Sequence, residues 1–389
     1  MARFRFSWQP GFLAPLLVGA ALVANVALRV LPMDRVSYRV WEALRTFGAE
    51  TPFRPHARYD RPRVYGNLAA LGNQIDLRQY HRVVFTTDSL GYHNPPGFAA
   101  TDSLPPGAIL FGSSFSAGAE VSDGEDLAAR LGALAGRRVY NAAPGEPAPA
   151  TVETLARQVG LDGGVVFYEY YEGSAPPAIR TRLPDPRELR CRKALGAWTT
   201  QATCNAFTWA ADHLEVSPLQ VFAARIYRHA ENGVLLPNAA AARVIRARLS
   251  NGAETLFLAL ERDILHSERA AEEADRYFTW LARQLALRGR RLLVVLAPQK
   301  YTVYAPLLQA PDPGPEASVH YLAEVERRLA ARGIAVVNLV EPLRAAARSA
   351  LEADSLIYWR DDTHWNAAGN DIAARVIAPA LERLWDEAK

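Results

Sequence analysis

The chain has 389 residues, 50% of them hydrophobic and 22% charged, with a formal net charge of +3. Such a length holds one large domain or two ordinary ones, with ample apolar material for a core. So small a positive charge speaks against nucleic-acid binding. Cys191 and Cys204, with no C-x-x-C, cannot build a metal cluster alone. In an exported domain they read as a disulfide, and otherwise as two buried thiols.

The chain opens on an apolar run from Phe12 to Leu28, preceded by Arg3 and Arg5 and followed by Arg29 and Arg35. The preferred reading of residues 1–33 is an uncleaved signal anchor in the membrane. A cleaved signal peptide is the alternative, and a buried helix of a soluble domain the third reading. Residues 34–106, rich in Pro, Arg and Tyr, read as a leading segment that ends in a strand around Arg82–Phe85.

An α/β rhythm follows. Ala108–Phe111, bounded by Gly107 and Gly112, reads as a buried strand, and Glu125–Leu134 as an amphipathic helix. Val139–Asn141 starts a second strand, Ala150–Val159 is a helix, and Gly164–Tyr170 is a third strand. From about 175 to 270 the rhythm is lost, and the stretch reads as a mostly helical insertion. It resumes with a helix over Glu268–Leu287 and a strong strand at Arg291–Leu296. A helix over Val319–Arg332, a strand at Ile334–Leu339 and a closing helix over Ala367–Trp385 complete it. Alternating strands and helices predict a parallel sheet with right-handed crossovers.

Two constellations carry chemistry. In Gly112-Ser113-Ser114-Phe115 an apolar strand ends in Gly, and small hydroxyl residues follow. A strand end positions a Ser rigidly, and nearby N–H groups can face a developing oxyanion. Gly/Ser turns after strands are also common as plain structure. In Asp361-Asp362-Thr363-His364-Trp365 a carboxylate stands two or three residues before a histidine, ahead of a helix. Imidazole can take a serine proton, and a carboxylate fixes its tautomer. The bland alternative is Asp362 as a helix cap beside an incidental His.

Together the two motifs resemble the SGNH (GDSL-like) hydrolase superfamily. Gly112-Ser113-Ser114-Phe115 looks like its first block, with Ser113 in place of Asp. Val139-Tyr140-Asn141-Ala142-Ala143-Pro144-Gly145 looks like the second block, and Phe167 to Ser174 like the third. Asp361–His364 looks like the fourth. The resemblance implies Ser114 as nucleophile and His364 as base. It implies Gly145 as a backbone oxyanion donor, and Ser174 in the place of a second donor, an Asn. Asp361 fits the usual Asp-x-x-His spacing and Asp362 the Asp-Thr-His-Trp variant, which is favoured. Ser113 and Trp365 join the expected substrate-binding set. Leu296 to Tyr304, with Pro298-Gln299-Lys300, is similar to a Pro-x-Lys stretch of the alginate O-acetyltransferase-like branch.

The expected fold is therefore α/β: a flavodoxin-like three-layer SGNH hydrolase fold with a parallel sheet. Residues 107–389 would form the catalytic domain, with a helical insertion and an N-terminal transmembrane anchor. The expected function is serine-dependent O-acyl transfer or ester hydrolysis on an exported or cell-envelope glycan in the periplasm. No cofactor and no metal are expected, since His213, His229 and His266 lack ligand spacing. A small acyl ester is the other expected substrate. The inner membrane, through the N-terminal helix, and a membrane acyl-donor protein are the expected partners. The rivals are a non-catalytic glycan-binding or scaffold protein, and a lipase or thioesterase. His93, Glu169 and Glu172 read as structural or solvated groups. Trp359 reads as core or as a sugar-stacking ring.

Overall fold

A computed structural model describes residues 10–28, 39–44, 51–72, 74–98, 106–180, 243–263, 268–310 and 316–387, with positions 202–203, 219 and 226 between them. Cys191, Cys204, His213, His229 and His266 lie outside the described residues.

The leading segment forms an antiparallel pair, β1 (Arg58–Val64) and β2 (His81–Thr86). The central sheet begins with β3 (Ala108–Phe111), β4 (Val139–Asn141) and β5 (Val165–Tyr171). After an antiparallel hairpin, β6 (Val244–Arg248) and β7 (Glu254–Leu258), it resumes with β8 (Arg291–Ala297) and β9 (Ala335–Asn338). Its order is β4-β3-β5-β8-β9, every pair parallel.

A parallel sheet is covered on both faces, so its strands are apolar throughout. Alternate residues of each strand accordingly enter two cores. Leu110, Phe167, Leu293 and Val295 pack under helices Leu127–Ala135, Val340–Glu352 and Ala367–Asp386. Ile109, Val166, Val294 and Leu296 pack under helices Pro149–Val159, Glu268–Ala286 and Glu316–Ala331. The result is a three-layer α/β sandwich around a parallel sheet. Caps set helix starts: Asp126 accepts the Ala129 N–H, and Asn366 accepts that of Gly369.

Three features depart from the sequence reading. Within the stretch read as a helical insertion, residues 244–258 form the β6–β7 hairpin. The signal lay in Asn251-Gly252: Gly252 takes φ +88°, and the Asn251 side chain accepts the Ala253 N–H. Helix Val340–Glu352 was not foreseen. The third concerns the N-terminus, where Pro10–Leu28 is one helix of 19 residues. At 1.5 Å per residue it rises about 28 Å, under the roughly 30 Å of a hydrocarbon core. It also carries Pro15, Gly19 and Asn25. Among the described residues no helix is long and apolar enough to cross a membrane, so the transmembrane anchor finds no support.

Candidate active site

The nucleophile candidate sits where β3 ends. Ser114 opens a one-turn helix, Ser114–Ala117, capped by Ser113, whose Oγ accepts the Phe115 N–H. Gly112 is required by close approach. A Cβ there would lie 2.6 Å from a Glu169 carboxylate oxygen and 2.7 Å from Ser116 Oγ. Glu169, on the adjacent β5, is the anchor of this turn. It accepts the Ser113 N–H at 2.7 Å, the Ser113 hydroxyl at 2.8 Å and the Ser116 hydroxyl at 3.0 Å. Ser113 is thus turned toward Glu169 and the helix start, a positioning role that replaces the substrate contact expected of it. Glu169 is a fully engaged buried group, not a solvated one.

The candidate base comes from the loop between helices Val340–Glu352 and Ala367–Asp386. His364 Nε2 stands 2.8 Å from Ser114 Oγ, and Nδ1 stands 2.5 Å from Asp362 Oδ1. Asp362 also accepts the His364 N–H on Oδ1 at 3.2 Å and the Asn67 N–H on Oδ2 at 2.5 Å. Burial alone would raise the Asp362 carboxyl, but the neighbouring His364 and these amides hold it well below the usual range. It is therefore ionised and oriented toward Nδ1. Phe115 completes the seat, its ring 5.0 Å from that of His364.

The structure separates the two aspartates. Asp361 Oδ2 accepts the N–H groups of Gly66 at 2.8 Å and Gln79 at 2.9 Å, and its carbonyl accepts those of Leu68 and Ala69. Burial pushes its carboxyl up. Asp361 therefore ties the base loop to the leading segment, while Asp362 faces the imidazole. The amides of Gly66 and Asn67 escaped the sequence reading, because they stand 295 positions away along the chain. Only the helix-start pattern around Gly66 was available as a signal.

This contact sets a prediction. A Cβ on Gly66 would fall 2.1 Å from the Asp361 carbonyl oxygen. Gly66→Ala must push the two segments apart, at about 1–3 kcal/mol by analogy with overpacking. Displacing the base loop by even about 1 Å can cost on the order of 10²-fold in turnover. Thermal unfolding and ester kinetics on the variant check both effects.

Other expected site residues are placed differently. The Gly145 N–H donates to the Gly112 carbonyl at 2.9 Å, and Gly145 accepts the Gly112 N–H in return. Its amide is spent within the fold, so the expected oxyanion role is corrected. Ser174 closes a turn onto the Tyr171 carbonyl, and its own carbonyl accepts the Tyr170 hydroxyl. Among the described residues no hydrogen bond joins Ser174 to Ser114 or His364. Trp365 is 2% exposed, packed edge-on to Phe115 and Tyr358. It is core, not a substrate platform. Trp359 is partly buried and stacks on His81 at 3.7 Å. His93 is buried, its ring nitrogens facing the Ala117 carbonyl and Asp123. Glu172 is buried, accepting the Gln299 N–H and the Thr302 hydroxyl.

For the oxyanion, the Ser114 N–H is the group best suited. As the first residue of its helix it has no intrahelical acceptor. Among the described residues, single ligand atoms of Glu120, Asp362 and His364 also lie within 4.8 Å of one another. Asp362 and His364 are already hydrogen-bonded to each other there.

Glu169 offers a test by pH. Burial raises its carboxyl from 4.5 to about 7, against the opposing donors of Ser113 and Ser116. A raised acid binds its proton more tightly when folded. Its stabilisation is complete below about 4.5 and is lost as pH rises through about 7. Wild-type stability should fall over that window by about 2–4 kcal/mol more than that of Glu169→Gln. Urea unfolding of both at pH 4.5 and pH 8 measures the difference.

A serine, an imidazole and an ionised carboxylate thus stand in hydrogen-bonded series at the end of a parallel strand. Residues 254–389 match the model of the SGNH hydrolase-like domain of the acetyltransferase AlgX. The match includes Lys300, Asp361, Asp362 and His364, while Ser114 lies upstream of it. No curated protein matches the chain. Among solved structures, phospholipase A1 from Streptomyces albidoflavus NA297 aligns at 13% identity with a TM-score of 0.32, over 72% of this chain and 100% of that one.

Proposed function

We propose that this protein transfers or hydrolyses O-acyl groups, acetyl groups foremost, through Ser114, His364 and Asp362. The observation that carries the reading is the position of His364, 2.8 Å from Ser114 Oγ and 2.5 Å from Asp362 Oδ1. Ser114 Oγ attacks the ester carbonyl carbon as its proton passes to His364 Nε2. Asp362 stabilises the imidazolium, and the Ser114 N–H faces the oxyanion. Collapse breaks the ester C–O bond, and the departing alkoxide takes the proton from His364. An acceptor hydroxyl then loses its proton to His364 and attacks the acyl-serine, which restores Ser114. A sugar hydroxyl as acceptor makes a transferase, and water makes an esterase.

The similarity of residues 254–389 to an acetyltransferase domain favours acetyl as the acyl group and a glycan as acceptor. A place outside the cytoplasm belongs to the same reading. Its support is the similarity of residues 254–389 to an acetyltransferase domain. A membrane protein that supplies acetyl groups would complete the transferase. A non-catalytic glycan-binding protein is the rival, favoured by the spent amide of Gly145.

Turnover of a small acetyl ester with and without an oligosaccharide acceptor, followed by product masses, tests the proposal. Acetylated oligosaccharide is expected. Acetate alone assigns an esterase, and no turnover under either condition favours the binding protein.

A further inference from the structure

The base loop is wound around one buried cation. Lys300 follows the end of β8 in the Pro298-Gln299-Lys300 stretch, and its side chain is fully shielded from solvent. Its ammonium donates to four backbone carbonyls: Leu256 at 2.8 Å, Trp359 at 2.7 Å, Arg360 at 3.0 Å and Asp362 at 2.9 Å. Three of the four belong to the chain that leads into His364. The fourth belongs to β7, which adds further ties to the same loop. The Leu256 N–H and the Thr255 hydroxyl both donate to the Arg360 carbonyl.

Carbonyl dipoles that converge on one point repel one another unless a positive charge sits among them. A neutral amine has two protons to offer, while an ammonium has three. Four acceptors at these distances therefore call for the charged form. The loop must also hold its shape to a fine tolerance. His364 reaches a serine 250 positions away on a different element, and the short Ser114–His364 contact disappears if residues 359–362 uncoil.

We infer that Lys300 is a positioning residue for the reaction, a buried ammonium that clamps the loop of Asp362 and His364 against Ser114. The inference rests on the triad reading above. Lys300 touches neither Ser114 nor His364 and takes no part in bond making. Its titration is set by the groups around it. Burial pulls it down to about 8, against Glu261 from the helix after β7 and Asp361 and Asp362 of the loop, while Arg360 adds to the fall. Neutralising the amine removes a donor from the clamp, so turnover should decline as pH rises past about 8. A serine–imidazole pair by itself predicts a plateau there.

The experiment uses the full chain and its Lys300→Met variant, which keeps side-chain length and removes the charge. Hydrolysis of a small acetyl ester gives kcat and KM, and unfolding by urea reports the fold. Expected is a kcat lowered about 100-fold, the scale of a misplaced catalytic group, with KM little changed and unfolding still cooperative. A folded variant with kcat within about threefold of wild type overturns the inference. Where Lys300→Met fails to fold, Lys300→Gln decides. A folded Lys300→Gln with kcat lowered at least tenfold and KM little changed supports the clamp, and kcat within about threefold of wild type overturns it. A folded wild type without turnover contradicts the triad reading itself, and the clamp falls with it.

Discussion

Ser114→Ala is expected to lower kcat for a small acetyl ester by about 10⁶-fold, and His364→Ala by a similar factor. Neither half of the pair works without the other. The serine hydroxyl is a weak nucleophile until Nε2 accepts its proton, and without the serine the imidazole has no hydroxyl to activate. The double variant should therefore be no slower than either single one, since the residues act as a unit. Additive losses in the double variant would mean that the 2.8 Å contact between them does not carry the proton. Steady-state kinetics on the three variants, with unfolding curves to show that each is folded, measure this.

The two adjacent aspartates should differ sharply. Asp362→Asn is expected to cost about 10⁴-fold in kcat, because an amide can no longer hold Nδ1–H and settle the imidazolium. Asp361→Asn should stay within about tenfold, since an amide oxygen can still accept from Gly66 and Gln79, at a stability cost of about 1 kcal/mol. The asymmetry follows from geometry. One carboxylate meets His364 at 2.5 Å, while the other binds the leading segment at 2.8 and 2.9 Å. Equal losses in both variants would show that the loop as a whole, and not Asp362, orients the base.

Local pattern made the sheet legible. β3, β5 and β8 are short apolar runs between glycines or charges, and helices with a clear apolar stripe separate them. The strand order and the division into two cores are long-range outcomes that no window along the chain displays. Helix Val340–Glu352 was hidden because Pro342 and Arg344 near its start resemble a loop, although Pro is tolerated in a first turn. The β6–β7 hairpin was hidden by the surrounding Ala and Arg, which favour helix in isolation.

At the site, Ser114, Asp362 and His364 were named from motifs of side-chain chemistry, and the fold brings the three side chains together. The groups that hold them were not so named. Glu169 looked like an ordinary carboxylate at a strand end until Ser113 and Ser116 were folded onto it. Gly66 and Asn67 act through backbone amides, which any sequence supplies. Gly145 is the reverse case, since a backbone N–H named from a motif proved to be bonded to Gly112. Side-chain chemistry can be read along a chain, whereas backbone donors are assigned only once their partners are known.

The most direct test of the central claim is covalent trapping. The full chain is treated with a serine-directed fluorophosphonate, and the intact mass and the labelled peptide are determined, beside Ser114→Ala and His364→Ala. One adduct per chain on Ser114, absent from Ser114→Ala and strongly slowed in His364→Ala, is the predicted result. No adduct on folded wild type, or an adduct on another residue, would contradict the account.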